Sequence, residues 1–342
     1  MNNLLPDSLF LTILRGGLHE SDIYLDGEIS AGEWKEMLIY AKEQSVTGIF
    51  SRGVEHLPLG FDVPDAVTFQ LMAATEVIER RNRQIEEVQH ILNDLYIPEG
   101  LHPVIMKGSE VARFYRFPLL RQSGDIDLFF PRHEFKRALV LSRMKLDDGG
   151  GRPDGSHHFN VEGIDIDLHD RYFHLRGRRR NLPDIPSAEA TLLMLSAHIL
   201  KHAMGPGIGL RQLCDMAMAF EALDGKYDKP RFRKLLKENH LLKWNALLSA
   251  FLEQYLGVEG RFLPDTRRRN PAPLAKIIME GGNFGHFSNI SQSSGGDGPL
   301  SRKGGTLRSF LSHLPFSLRY APGELFREIF ALAKGNIFQL FR

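Results

Sequence analysis

Cysteine, net charge and long apolar runs are all scarce in this sequence. Its 342 residues include one cysteine, Cys214, so the chain can form neither an internal disulfide nor a multi-cysteine metal site. The formal net charge at pH 7 is only +1, which provides no overall field that would attract nucleic acid or an acidic membrane. No run of about 18 apolar residues occurs, and the apolar stretch near the N-terminus has no basic region before it. We therefore expect no transmembrane helix and no signal peptide, and we expect a cytoplasmic protein.

The composition that remains is that of an ordinary globular protein. Hydrophobic residues make up 42% and charged residues 25% of the chain, and the length allows two or three domains. Apolar residues recur at helical spacing in 33–44 and 65–97 and again after Ser187, whereas the region between contains short alternating runs. The sequence predicts an α+β fold, in which a small mixed β-sheet is flanked by N- and C-terminal helical regions.

We predict five segments along the chain. A helical region (1–100) precedes the sheet-containing core (101–183), and a helical domain (184–280) follows the core. A stretch rich in Gly and Ser (281–305) is predicted to be flexible, and the last segment (306–342) is predicted to form an amphipathic helix.

Within the core, apolar or alternating runs predict four short strands. These strands cover 104–106, 125–130, 157–161 and 164–169, and the last two are joined by a hairpin turn at Glu162-Gly163. One helix is predicted from the Gly108-Ser109 turn to Pro118, and another after Pro131. The polar, glycine-rich stretch 147–155 is predicted to be a loop.

The strand at 125–130 carries two aspartates that are separated by one residue. Because side chains alternate along a strand, Asp125 and Asp127 project from the same face, and their carboxylates can converge. Like charges this close favour a cation between them, and Mg²⁺ prefers hard oxygen ligands together with substrate phosphates. A third carboxylate from a neighbouring strand would complete such a site, and both Asp165 and Asp167 have the required facing.

Upstream of this pair, the chain offers groups that can bind phosphate. Gly108 lets the backbone approach a ligand closely, and a helix that begins at Ser109 presents free N–H groups. Lys107 can neutralise phosphate charge, with an ordinary surface lysine as the equal alternative. Arg121 can contact a nucleotide or form a salt bridge that orients Asp127.

These motifs together resemble a known superfamily. Gly108-Ser109, Asp125-Ile126-Asp127 and Asp167 are similar to the motif of the polymerase-β-like nucleotidyltransferases. More narrowly, the chain resembles the bacterial "uncharacterised nucleotidyltransferase" family over about residues 30–290. The motifs that carry this narrower resemblance are Met106-Lys107-Gly108, Arg121, Asp125-Ile126-Asp127-Leu128, Asp167-Leu168-His169, Ala197-His198, Lys201-His202, Arg211 to Asp215 and Gly282-Asn283-Phe284-Gly285.

The resemblance implies a metal-dependent transfer of a nucleotidyl group from an NTP, with ATP as the expected donor. Asp125 and Asp127 would hold one Mg²⁺ (or Mn²⁺) at the β- and γ-phosphates, and Asp167 would help them hold a second near the α-phosphate. Lys107, Gly108, Ser109 and Arg121 would bind the nucleotide. The Asp-Leu-His order favours Asp167 over Asp165 as the third carboxylate. The acceptor hydroxyl, on a sugar, a small metabolite or a protein, is not identified.

Two other functions are consistent with the same motifs. An RNA-directed nucleotidyltransferase would share the carboxylates, but it would need a broad basic surface that a net charge of +1 does not supply. A non-catalytic binding protein could keep the fold, although retention of every carboxylate argues against loss of the site.

Histidines and arginines outside the carboxylate motif have weaker interpretations. His198 and His202 are four residues apart on a predicted helix, but no Glu follows His198, so packing is favoured over a zinc site. His158 is weighed as a base or phosphate contact, and His169 as a residue that supports Asp167. The arginine cluster at 176–180 could receive a triphosphate, with a solvated loop as the favoured alternative.

Overall fold

The computed structural model describes residues 8–25, 27–152, 155–173, 175, 182–205, 207–264, 269–281 and 313–327. The arginine cluster at 176–180 lies outside the described residues, as do 282–305 of the predicted flexible segment and most of 306–342. The chain divides into two compact units, Thr12–Tyr172 and Met1–Leu11 with Phe173–Arg342. The prediction of five segments stays a prediction.

The elements before the middle of the chain are helices followed by a sheet. The described helices are α1 (Leu9–His19), α2 (Ala31–Glu43), α3 (Thr47–Glu55), α4 (Asp65–Tyr96), α5 (Ser109–Ala112) and α6 (Arg132–Lys145). The strands are β1 (Val104–Ile105), β2 (Asp125–Phe129), β3 (Asp147–Gly151), β4 (His157–Val161) and β5 (Ile164–His169). Among the described residues, the strands all lie between Val104 and His169, with α5 and α6 between them.

The five strands form one mixed sheet in the order β1-β2-β5-β4-β3. Strands β2 and β5 are parallel neighbours, and the other neighbouring pairs are antiparallel. Helices flank this sheet in the sequence on both sides, so the predicted α+β class is confirmed. The parallel pair at the centre of the sheet brings the two aspartate-bearing strands side by side.

The two faces of the sheet differ in polarity because hydrophobic and polar residues alternate along β2 and β5. Ile126 and Leu128 of β2 and Ile166 and Leu168 of β5 are at most 2% exposed and pack with residues of α4 and of α6 in one apolar cluster. On the other face lie the side chains of alternating polar residues, including all four candidate carboxylates. Helix packing against one face therefore leaves the second face for polar chemistry.

The hairpin between β4 and β5 forms where the sequence predicts it. Glu162 and Gly163 both have positive φ, +50° and +77°, which is the combination that a two-residue type I′ turn requires. The Gly163 N–H also donates to the Asn160 Oδ1 at 3.0 Å. This turn sets the register in which His158 lies opposite Asp167.

Two predictions of local structure in the core were wrong. Residues 147–151 form the edge strand β3 and not a loop, because they pair with β4 despite their low strand propensity. The helix after Gly108 covers only Ser109–Ala112 and does not continue to Pro118. Helical spacing of three apolar residues was therefore insufficient evidence for a full-length helix.

Residues 79–83 of α4 are mostly charged, but they are only partly exposed to solvent. Arg80 and Arg83 are exposed, but Asn82 is 6% exposed and its Nδ2 donates to the carbonyl groups of Leu119 (2.6 Å) and Arg121 (2.9 Å). These bonds attach α4 to the segment that leads into β2, so this asparagine helps to position the strand that carries Asp125 and Asp127.

Asn82→Ala is expected to lower the free energy of unfolding by about 2–3 kcal/mol, because two carbonyl groups lose their donor. Urea denaturation measures this difference. Arg83→Ala is the matched control on the same helix, since the Arg83 side chain is 61% exposed and pairs with Glu79 at the surface; its effect should stay below about 0.5 kcal/mol. Equal losses in the two variants would contradict the positioning role of Asn82.

The second unit is helical in its described part. Its elements are α7 (Ala188–Met204), α8 (Leu210–Ala222), α9 (Lys229–Glu238), α10 (Leu242–Leu256), α11 (Ala272–Gly281) and α12 (Leu314–Tyr320). Ser187 caps α7, since its Oγ accepts a hydrogen bond from the Ala190 N–H at 3.1 Å. The rings of His198 and His202 are 4.5 Å apart in an edge-to-face arrangement. Within the part of the chain that the structure describes, none of the helices combines the length and the apolar character that crossing a membrane requires.

Candidate active site

The polar face of the sheet pairs the aspartates of β2 with those of β5. Asp127 lies directly opposite Asp167, and Asp125 lies opposite Asp165. The inner pair is buried, with 3% and 5% exposure, whereas the outer pair is exposed. Burial of two carboxylates on adjacent strands is costly unless cations or donors compensate their charges, so their partners determine what the site can do.

Asp127 is held by a lysine and a histidine. Lys107 Nζ lies 3.0 Å from its Oδ2, and His169 Nε2 lies 2.8 Å from its Oδ1. Burial alone would raise the pKa of the Asp127 carboxyl, but the charge of Lys107 and the hydrogen bond with His169 outweigh burial and hold the pKa below its usual range. Asp127 is therefore an anion in the folded protein near neutral pH.

Asp167 is held by an arginine from the β3–β4 hairpin. Arg152 NH1 lies 2.7 Å from Asp167 Oδ2, and its NH2 lies 2.8 Å from His158 Nδ1. Burial raises the pKa of the Asp167 carboxyl above its usual value, and the nearby charge of Asp127 adds to this, although Arg152 opposes it. The two carboxylates thus differ in proton affinity, since Asp167 binds a proton more readily than Asp127.

The contact with Arg152 also indicates the tautomer of His158. A guanidinium N–H can only donate, so Nδ1 accepts and the ring proton lies on Nε2. That nitrogen is 3.4 Å from Asp165 Oδ1. Nδ1 also lies 3.1 Å from Asp167 Oδ1. The same nitrogen can accept from Arg152 or donate to this carboxylate, but it cannot do both in one tautomer.

The donor atoms of the site fit a small divalent cation. Among the described residues, Asp127, Asp167 and His169 each offer one ligand atom, and these atoms lie within 4.8 Å of one another. Carboxylate oxygens suit Mg²⁺ and Mn²⁺. Because His169 Nε2 already bonds to Asp127, we interpret the histidine as a group that orients this carboxylate. The exposed Asp125 is not one of the three residues in this cluster.

The predicted phosphate-binding residues lie around the start of β2. The Met106 N–H donates to the Asp127 carbonyl at 3.0 Å, which places the following Lys107 beside Asp127. Gly108 has φ of +67° and precedes the short helix α5, and a Cβ built on it would lie 3.4 Å from the Asp125 carbonyl oxygen. The Cβ contact is an ordinary van der Waals distance, so the positive φ is what favours glycine there.

Ser109 and Arg121 have partners within the same unit. Ser109 Oγ accepts a hydrogen bond from Gln89 Nε2 of α4. Arg121 is 5% exposed, and its NH1 donates to Ser123 Oγ at 3.0 Å. Of the predicted site residues, the structure brings Lys107, Asp127 and Asp167 together.

Arg152 is the site residue that sequence reasoning missed. It lies within the glycine-rich stretch 147–155 that was predicted to be a loop, and no motif or periodicity distinguished it from other surface arginines. Only the pairing of β3 with β4, and of β4 with β5, carries it to Asp167. The position of His158 on the carboxylate face, in contrast, was available from strand alternation.

A model of the family described as "Uncharacterised nucleotidyltransferase" matches residues 30–257. The matched interval covers about two thirds of the chain and includes every residue of the site. No curated protein and no solved structure matches the chain significantly.

Proposed function

The chain belongs to the uncharacterised nucleotidyltransferase family, and we propose that it transfers an NMP group from an NTP to a hydroxyl group of an acceptor. ATP is the expected donor, and the acceptor is a sugar, a small metabolite or a protein. The observation that carries the proposal is the buried pair Asp127 and Asp167 on adjacent parallel strands, with cationic side chains around it.

The metal in this proposal is Mg²⁺ or Mn²⁺. Asp127 and Asp167 would hold it, with Asp125 at the exposed end of the strand as a further ligand. When bound, such an ion lowers the pKa of an acceptor hydroxyl and neutralises charge on the transferring phosphate. Asp127 and Asp167 are each paired with a cationic side chain. Their positions therefore already accommodate positive charge, which supports the proposal that they bind a metal ion.

The residues of the chain supply the remaining roles. Asp167 accepts the proton of the acceptor hydroxyl. The acceptor oxygen forms a bond to the α-phosphorus, the bond between the α-phosphorus and the bridging oxygen breaks, and pyrophosphate leaves. Lys107 and the backbone of Gly108-Ser109 bind phosphate oxygens, and Arg121 contacts the nucleotide or supports its binding segment.

Calorimetric titration with NTPs in the presence and absence of Mg²⁺ tests the proposal. We expect Mg²⁺-dependent binding to the wild type, with a rank order that identifies the donor, and no measurable binding to the double variant Asp125→Asn/Asp127→Asn. Thermal melting of the double variant controls for folding. If the folded wild type binds none of the four NTPs with either Mg²⁺ or Mn²⁺, the catalytic proposal is wrong and a non-catalytic binding protein becomes the better interpretation.

A further inference from the structure

Two cationic side chains neutralise the two buried carboxylates of the site. Lys107 pairs with Asp127 and Arg152 pairs with Asp167, so two positive charges balance two negative ones. The oxygens that these cations contact are also the oxygens that a divalent cation would need. Coordination and side-chain pairing therefore compete for the same carboxylates.

Arg152 is suited to exchange partners. It lies at the end of the β3–β4 hairpin, where its N–H donates to the Ser156 carbonyl and its own carbonyl accepts from the Gly155 N–H. Its side chain is 45% exposed, whereas that of Asp167 is 8% exposed. The guanidinium can therefore leave the carboxylate and reach solvent without unfolding the hairpin.

The guanidinium also has donors to spare. Of its five N–H groups, one donates to Asp167 and one to His158, and the described part of the chain provides no partner for the other three. A planar set of unused donors matches the oxygens of a phosphate group. Asp167 has no donor and a neutral His158 has a single ring N–H, so Arg152 has the most donors in this cluster for binding an anion.

We propose that Arg152 is a triphosphate-binding residue that pairs with Asp167 only until a divalent cation takes this carboxylate, and then binds the phosphates of the donor nucleotide. This inference rests on the proposed function, because it requires that the carboxylates bind a divalent ion and that the donor carries a triphosphate. It adds a residue that neither the motifs nor the family match singles out.

This change of partner by Arg152 couples the binding of Mg²⁺ to the binding of the triphosphate. Mg²⁺ by itself must compete with Arg152 for Asp167, so it binds weakly. A triphosphate by itself meets a guanidinium whose charge is already neutralised by Asp167, so it also binds weakly. Each ligand removes the competitor of the other, and their binding is mutually strengthened by the same factor.

The variant Arg152→Gln separates these effects because they have opposite signs. In calorimetry with Mg²⁺ alone, we expect it to bind the ion about 10-fold more tightly than the wild type, since the competing cation is absent. With inorganic tripolyphosphate in saturating Mg²⁺, we expect it to bind roughly 10- to 100-fold more weakly, since charge-assisted hydrogen bonds are lost. Arg143→Gln is the matched control, because Arg143 pairs with Asp148, away from the buried carboxylates; both affinities should change less than about twofold.

A second variant keeps the test valid if Arg152→Gln does not fold. Arg152→Lys retains the charge but loses the planar donors, so tripolyphosphate should bind about 10-fold more weakly while Mg²⁺ affinity stays near that of the wild type. If wild type binds tripolyphosphate with Mg²⁺ but both Arg152 variants match it, the exchange is refuted and the proposed function stands. If Arg152→Gln weakens both ligands, Arg152 only orders the site. If the wild type binds neither NTP nor tripolyphosphate, the proposed function fails and the exchange fails with it.

Discussion

Asp167→Asn is expected to weaken Mg²⁺-dependent NTP binding by roughly 100-fold or more, whereas Asp165→Asn should change it by less than about threefold. The two aspartates are neighbours on one face of β5. Asp167, however, is buried opposite Asp127, while the Asp165 side chain is 55% exposed and pairs with His158 at 3.4 Å. Burial opposite Asp127 is why we propose the Asp167 carboxylate as a metal ligand, whereas solvent screens the charge of Asp165.

Calorimetry with the preferred NTP and Mg²⁺ measures both variants, and nucleotidyl transfer can be measured on the same samples once an acceptor is found. The two substitutions are isosteric, so Asp165→Asn controls for loss of one negative charge on the strand. Thermal melting verifies that both variants fold. A larger loss in Asp165→Asn than in Asp167→Asn would show that the third carboxylate had been assigned to the wrong residue.

Gly48→Ala is expected to lower the free energy of unfolding by about 3 kcal/mol. Gly48 is the second residue of α3, and a Cβ built on it would lie 2.1 Å from the carbonyl oxygen of Leu120. The Leu120 backbone would have to move, and it belongs to the segment that Thr47 also contacts, through its N–H to Gln122 Oε1 at 2.9 Å. Since this segment leads into β2, we expect weaker NTP binding as well.

Gly32→Ala is the matched control for this substitution. Gly32 is likewise the second residue of its helix, α2, but it is exposed and its built Cβ has no neighbour closer than 3.9 Å. Alanine is the better helix former, so this variant should be unchanged or more stable by up to about 1 kcal/mol. Urea denaturation gives both values, and a Gly48→Ala variant as stable as wild type would disprove the close contact between α3 and the 118–122 segment.

Much of the core was predictable because its strands alternate clearly. The predicted strands at 157–161 and 164–169 agree with β4 and β5, and the Glu162-Gly163 turn lies where the sequence places it. The long helix α4 also agrees with its apolar periodicity. Such patterns are local, since each residue of a strand or helix faces the core or solvent according to its own position.

The edge strand and the shortened helix were not predictable in the same way. Strand β3 contains three glycines, and its backbone becomes extended because β4 supplies hydrogen-bond partners, not because its residues favour a strand. Helix α5 ends early although apolar spacing continues. In both cases, contacts with other segments override the weak conformational preference of the residues themselves.

The sequence by itself determined which residues could face one another: Asp125 and Asp127 on one strand, and Asp165, Asp167 and His169 on another. Tertiary structure decided which of them meet. Parallel pairing of β2 with β5 sets Asp127 against Asp167 and leaves Asp125 and Asp165 exposed, and the β3–β4 hairpin delivers Arg152 to the site. The reason is physical: alternation along a strand depends on neighbouring residues, whereas register, burial and ion pairing depend on segments distant in the chain.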